Sequence, residues 1–283
     1  MKVIYVGILL LFICWLFQPQ QASNNISFLI PDRLNSQARI YPYPRLIHQR
    51  DDKKDISLAG FINQEGRFVV PLILEEAFEF REGLAAARIN GKWGFIDEIG
   101  NWKIAAIYTQ VGDFSEGVAP VKADGKYGYI NRYGKYVIRP RFEATTGFRE
   151  GLALVDEGKE RFFINKAGTV VIRGKWDGYL GVRLFSEGRA AINKGRKWGF
   201  IDKTGKQIIP ASYDEVYDFS EGLAPVKQQN KWGFIDRTGN LVINYKFNEA
   251  SPHFEGLACV KVNEKYGYID KLGRFVISAK FDS

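Results

Sequence analysis

Three sets of side chains with chemical potential recur along this chain at a nearly fixed interval. The first is acidic. Glu82, Glu116, Glu150, Glu187, Glu221 and Glu255 each precede a glycine. A row of carboxylates can bind cations or sugars, or supply the acid pair of a glycoside hydrolase. Six equivalent copies argue against catalysis, because a reaction needs one asymmetric site. The plainer role is accepting hydrogen bonds from a tight loop whose glycine requires positive φ. An envelope carbohydrate-active hydrolase using a pair from this row is the alternative to a non-enzymatic reading.

The second set is basic: Arg88, Lys92, Lys122, Lys126, Lys194, Arg196, Lys197, Lys227, Lys231, Lys261 and Lys265. They flank short turn sequences such as Asn90-Gly91 and Asp124-Gly125, the pairs favoured in two-residue hairpins. Aligned, they form a stripe interrupted near Asp156 and Glu160, able to attract an anionic polymer, a lipid surface or an acidic protein. Exposed hairpin tips are commonly charged for solubility, and lysines also discourage edge pairing. The net charge of +8 falls to +7 if residues 1–22, which hold Lys2 and no acid, are removed.

The third set is aromatic: Trp93, Tyr127, Trp198, Trp232 and Tyr266. Such a row could stack sugars, but an aromatic or apolar partner two residues later favours a structural repeat core. Other chemistry is thin. Asp97, Asp202, Asp236 and Asp270 lack the alternating carboxylates of a calcium loop and read as turn residues. Two cysteines (Cys14, Cys259) and two histidines (His48, His253) exclude a disulfide framework and a cysteine-based zinc site. Ser251, His253 and Cys259 are neighbours in sequence, yet the apolar strand around Cys259 points to packing. Neither a metal nor a cofactor is expected, and no nucleic-acid motif is present.

The elements that position these rows follow from the interval itself. The second residue of each unit falls at Ala59, Trp93, Tyr127, Arg161, Trp198, Trp232 and Tyr266, with gaps of 34, 34, 34, 37, 34 and 34 residues. The longer gap is a three-residue insertion around Tyr179 to Arg183. A 34-residue period also suits paired helices, but two or more glycines per unit and mostly β-branched or aromatic apolar residues favour strands. Asp97 to Gly100, Asn131 to Gly134, Asp202 to Gly205, Asp236 to Gly239 and Asp270 to Gly273 carry the type I turn signature. Each unit therefore reads as three short antiparallel strands, in one copy Leu223 to Lys227, Trp232 to Ile235 and Leu241 to Asn244. A connector, Tyr213 to Phe219, follows each unit. Arg45 to Gln49 supplies the first partner strand.

Trp232 and Phe234 occupy one face of such a sheet and Gly233 and Ile235 the other; Leu241 and Ile243 oppose Val242. Both faces are apolar in most copies, so a lone sheet is not viable in water. Burying one Trp or Ile contributes roughly 1.5–3 kcal/mol, and neighbouring units are the available partners. The expected fold is all-β, a tandem array of about seven three-stranded antiparallel units over residues 45–283. An open stacked, solenoid-like array is favoured over a seven-bladed β-propeller because blades usually have four strands.

The strings KWGFID at Lys92, Lys197 and Lys231, KYGYIN at Lys126 and KYGYID at Lys265, with the later F-S-E-G-L-A-P-V of Phe219 to Val226, resemble the bacterial WG repeat family. The resemblance implies a bacterial repeat-built β protein with no known catalytic centre. Departures occur at Ala59, Arg161, Phe162 and His253, which makes the fourth unit a candidate for local irregularity.

Residues 1–22 place Lys2 before an apolar run from Val3 to Phe17, the pattern of a signal peptide or N-terminal anchor, and residues 23–44 read as a linker. The expectation is an exported scaffold (periplasmic, cell-envelope or secreted) that binds a macromolecule, a protein or an anionic polymer. Membrane contact is expected only through residues 3–17 if they remain uncleaved.

Overall fold

The computed structural model describes residues 45–51, 56–174 and 181–282. The expected signal segment, the linker at 23–44 and part of the insertion lie outside them. Among the described residues every regular element is a strand. The chain divides into two compact units, one of Leu34–Gly174 and one containing Lys175–Ser283. The first holds antiparallel sheets at 45–74, 76–108, 110–142 and 144–173; the second holds sheets at 190–213, 215–247 and 249–281. Seven sheets match the seven repeats.

Each sheet contains the three expected strands. In the 215–247 sheet they are Leu223–Gln228, Lys231–Asp236 and Leu241–Phe247. Five sheets add a fourth strand of only two residues, such as Glu215–Val216, which the connector lays against the first strand. In the 190–213 sheet a single bridge from Val182 to Ile192 takes that place.

Local chemistry fixes the joints. Between the first two strands, the tip residues Asn90 and Gly91 have φ of 51° and 71°, and Gln229 and Asn230 have 50° and 61°. These are type I′ turns, whose twist matches the flanking strands. Between the second and third strands, Asp236 Oδ1 accepts from the backbone N–H of Thr238 and Asn240, while Gly239 N–H donates to the Asp236 carbonyl. Equivalent bonds form at Asn63, Asp97, Asn131, Asn165, Asp202 and Asp270. The turn reading of these residues therefore holds.

The glycine after the repeated aromatic has a separate purpose. At Gly94 a Cβ would sit 2.5 Å from the Ile104 carbonyl oxygen, and at Gly233 2.6 Å from that of Ile243. The third strand is bulged onto this point: Trp232 pairs with Phe247 but Phe234 with Ile243, so two residues face four. Pro71, Pro140 and Pro210 lie within such bulges, where a missing N–H is tolerated. In the fourth repeat Phe162 replaces the glycine, and there Phe162–Arg173 and Phe163–Ile172 pair without a shift. The expected irregularity is thus the loss of the first of two register shifts; the second, between Phe163 and Ile164, remains.

Cores lie between neighbouring sheets. In the first unit, Trp93, Phe95, Ile104 and Tyr108 of one sheet cluster with Phe114, Ala119, Val121 and Ile130 of the next. The opposite face of the same sheet, with Ala85, Ala87 and Ile96, clusters with Phe61, Val70 and Leu74 of the sheet before it. In the second unit, Phe200, Ile209 and Tyr213 meet Phe219, Ala224, Val226 and Ile235, and Trp232, Phe234 and Phe247 meet Ala258, Val260 and Ile269. The inner strands are apolar on both faces, as expected. The third strand is not: Leu241 and Val242 are both exposed while Ile243 is buried.

Candidate functional site

The repeated glutamates lie in two-residue turns that precede each first strand. Arg81 and Leu84 exchange backbone hydrogen bonds across Glu82 and Gly83, whose φ values are 52° and 79°. The glutamate itself is left-handed, a feature for which its residue type gives no cue. Its carboxylate reaches the corresponding turn of the next repeat. Glu82 Oε2 accepts from Gly117 N–H at 2.9 Å, and Glu116 from Gly151 N–H at 3.0 Å. In the second unit Glu187 accepts from Gly222 N–H at 2.8 Å and Glu221 from Gly256 N–H at 3.0 Å.

Serines one position earlier add a parallel bond. Ser115 Oγ donates to the Phe148 carbonyl, Ser186 Oγ to that of Phe219 and Ser220 Oγ to that of His253, at 2.6, 2.8 and 2.6 Å. Lysines of the following turns complete two of the carboxylates, Lys166 on Glu116 at 3.2 Å and Lys271 on Glu221 at 3.0 Å. Burial alone would raise the Glu221 carboxyl; the bonds from Lys271 and Gly256 outweigh it and hold the group below its usual range. Glu82, Glu116, Glu187 and Glu221 are sheet-to-sheet acceptors, a structural role.

The basic set lies at the opposite end of the sheets, at the hairpin tips as expected, and most of it faces carboxylates from the connectors. Lys227 pairs with Glu215 at 2.6 Å, Lys261 with Glu249 at 3.2 Å, Lys126 with Glu143 at 2.5 Å, and Lys265 with Asp282 at 2.6 Å. Lys197 pairs with Asp214, and Arg88 with Glu75 at 3.4 Å. The hydrogen bonds that Lys261 donates to Glu264 and Glu249 raise its ammonium well above the ordinary lysine range. Lys122 and Lys194 donate to Gln110 and Gln207 instead. Lys92, Arg196 and Lys231 carry no ion pair among the described residues. Several acids bind tip backbone as well. Glu143 holds both Lys126 of one tip and Gly158 N–H of the next, and Asp214 bridges Lys197 and Gln229 N–H in the same way. The basic stripe is therefore largely neutralised by acids 12 to 17 positions away in sequence.

The aromatic set is core. Trp93, Trp232 and Tyr266 are buried, and Tyr127 and Trp198 half-buried. Trp232 stacks on Tyr217 with ring centroids 5.2 Å apart, and Lys227 lies 5.8 Å above it. Ser251, His253 and Cys259 are buried but do not assemble as a nucleophile. Ser251 Oγ accepts from Cys259 N–H, and the His253 ring lies edge-on to Phe234, where other repeats place phenylalanine. No cluster of three or more metal-ligating side chains occurs among the described residues.

These features define a β-repeat protein whose polar periodicity joins its sheets. The sequence profile of the WG containing repeat matches residues 60–93, 93–127, 127–159, 162–198, 198–232, 232–266 and 266–283. The chain belongs to the WG-repeat family. No curated protein matches it. Among solved structures, Kluyveromyces lactis Hsv2p is similar over 59% of this chain and 62% of its own, with 12% identity and a TM-score of 0.39. AztD of Citrobacter koseri is similar over 84% and 81%, with 14% identity and a TM-score of 0.38. PorZ of Porphyromonas gingivalis, described as a surface component of the type-IX secretion system, is similar over 74% and 33%, with 10% identity and a TM-score of 0.37. This chain spans under two thirds of the length of Hsv2p and one third of that of PorZ.

Proposed function

We propose that this protein is an exported, non-enzymatic scaffold that binds an elongated anionic macromolecule, an envelope polymer or an acidic protein. The observation that carries the reading is the inter-sheet use of Glu82, Glu116, Glu187 and Glu221, which takes up the repeated acids a hydrolase would need. What remains repeated at the surface suits attachment along a length. Export rests on the apolar run at residues 3–17, and the preference for an anion rests on the net charge of +8.

Among the tip cations, Lys92, Arg196 and Lys231 are the ones we assign to an external anion, because the others are held by internal carboxylates or, for Lys122 and Lys194, by glutamines. The test is retention of the mature chain on an immobilised polyanion across a salt gradient. Retention that weakens with salt and falls in the K92Q/R196Q/K231Q variant supports the reading. Retention that is absent, or unchanged in that variant, rejects it. A single Glu→Gln change abolishing turnover of an envelope glycan would favour the hydrolase.

A further inference from the structure

We propose that the third strands of the sheets form, within each compact unit, a second surface that docks on an anionic lipid bilayer. The distribution of exposed apolar groups motivates this. Among the described residues, every large apolar side chain that is exposed, apart from Phe254, lies on a third strand or in the turn that leads into one. In the first unit, Phe68, Trp102 and Tyr136 occupy the same place in three consecutive sheets and are 55%, 39% and 40% exposed. Tyr133 in the turn before the last of them is 84% exposed, and Val137 and Val171 continue the strip. In the second unit Leu241, Val242, Phe275 and Val276 hold the equivalent places. Scattered apolar residues need no explanation, but confinement to one strand of each sheet does.

Charge on these strands has one sign. They contain Lys103, Arg139, Arg141, Arg173, Lys246 and Lys280 and not one Asp or Glu. Lys103 is paired with Asp97 at 3.1 Å, Arg141 lies 3.8 Å from Glu157, and Arg173 meets Glu160. Arg139, Lys246 and Lys280 have no carboxylate partner among the described residues, and the ammonium groups of the two lysines lie over the rings of Phe247 and Phe281, 5.2 and 5.4 Å from their centroids. Exposed Trp, Tyr and Phe on strands whose charges are all cationic is the composition that settles at a headgroup layer, where rings enter the acyl boundary and cationic groups meet phosphates.

The backbone decides between a bilayer and an added peptide strand. The third strand is an edge, yet its pairing is broken by a register shift in all seven sheets, and Pro71, Pro140 and Pro210 remove donors from three of them. Bulges and prolines prevent a partner strand from zipping on. A surface that offers side chains and withholds regular backbone donors suits a fluid interface, which requires no fixed hydrogen-bond register.

The test is co-sedimentation of the purified mature chain with vesicles of phosphatidylcholine alone and of phosphatidylcholine with phosphatidylglycerol in equal parts. Binding is expected to the anionic vesicles, to weaken with salt, and to fall at least tenfold in the R139Q/K246Q/K280Q variant, whose positions carry no ion pairs. The K92Q/R196Q/K231Q tip variant is expected to bind vesicles like the parent, which separates this surface from the tips. F68S is expected to lower vesicle binding with a melting temperature near that of the parent. Absence of vesicle binding, equal binding to both lipid mixtures, or no effect of R139Q/K246Q/K280Q overturns the proposal. So does binding of soluble polyglutamate with the same sensitivity to R139Q/K246Q/K280Q when vesicles are not bound, an outcome that assigns the surface to an acidic protein.

Discussion

The carboxylate of Glu221 accepts a hydrogen bond from the backbone N–H of Gly256, 35 positions later and in the next repeat. The same relationship joins Glu82 to Gly117, Glu116 to Gly151 and Glu187 to Gly222. If these acids are joints between sheets, their loss must be felt as stability and to a similar degree at each position. Changing any one of the four to Ala is expected to lower stability by about 1–2 kcal/mol, the usual range for a partly exposed charge-assisted bond. Chemical denaturation of the four single variants checks this. One variant far more costly than the others would show that the row is not equivalent.

The glycine of the repeated Trp-Gly pair is set by backbone proximity. G233A is expected to destabilise the array by about 1–3 kcal/mol, since its new methyl group meets the Ile243 carbonyl and backbone has little room to yield. The fourth repeat supplies the counterpart. F162G, which restores the glycine where the register shift beside it is missing, is expected to destabilise as well, through loss of a buried ring. Thermal melts of both variants test the coupling between glycine and bulge.

Burial of His253 makes part of the stability sensitive to acid. Desolvation lowers its pKa from the ordinary 6.5, opposed by the Asp270 backbone and the charges of Glu221 and Asp270 and assisted by Lys271. The unfolded chain therefore takes up this proton at a higher pH than the folded one. The contribution is complete above pH 6.5 and is lost progressively below it. H253F installs the residue other repeats use, as Phe219 does against Phe200. Its melting temperature is expected to fall less than the parent's between pH 7.5 and 5. Parallel pH profiles would contradict this.

Trp232 is enclosed by Tyr217, Lys227 and the following sheet, so W232A is expected to cost roughly 3–5 kcal/mol. A near-neutral result in urea unfolding would return the aromatic row to the surface.

Much of this architecture was legible because it repeats. Strand type, seven units, the tip turns and the Asp or Asn turns all follow from residues whose conformational demands are local. The two-residue strand at Glu215–Val216 was not legible, because two residues cannot display a period. The exposure of Leu241 escaped for another reason. The bulge pairs Phe234 with Ile243 and Ile235 with Leu241, so alternation along the third strand no longer maps onto alternation along the second. The tip lysines were correctly placed, but Glu215 and Asp282, which pair with Lys227 and Lys265, lie in segments that read as links and an end. The glutamates showed their recurrence and not their partners, which a single repeat does not contain.

Glu82, Glu116, Glu187 and Glu221 each fasten their turn to the next one within the same unit, and everything above turns on these joints. Amide hydrogen exchange at Gly256, measured by NMR in the parent and in E221A, tests this fastening most directly. A protected amide is expected in the parent that exchanges about tenfold faster or more in the variant, in keeping with the loss of one such bond, while Gly222 remains protected. A Gly256 amide that exchanges freely in the parent, or at an unchanged rate in E221A, would contradict it.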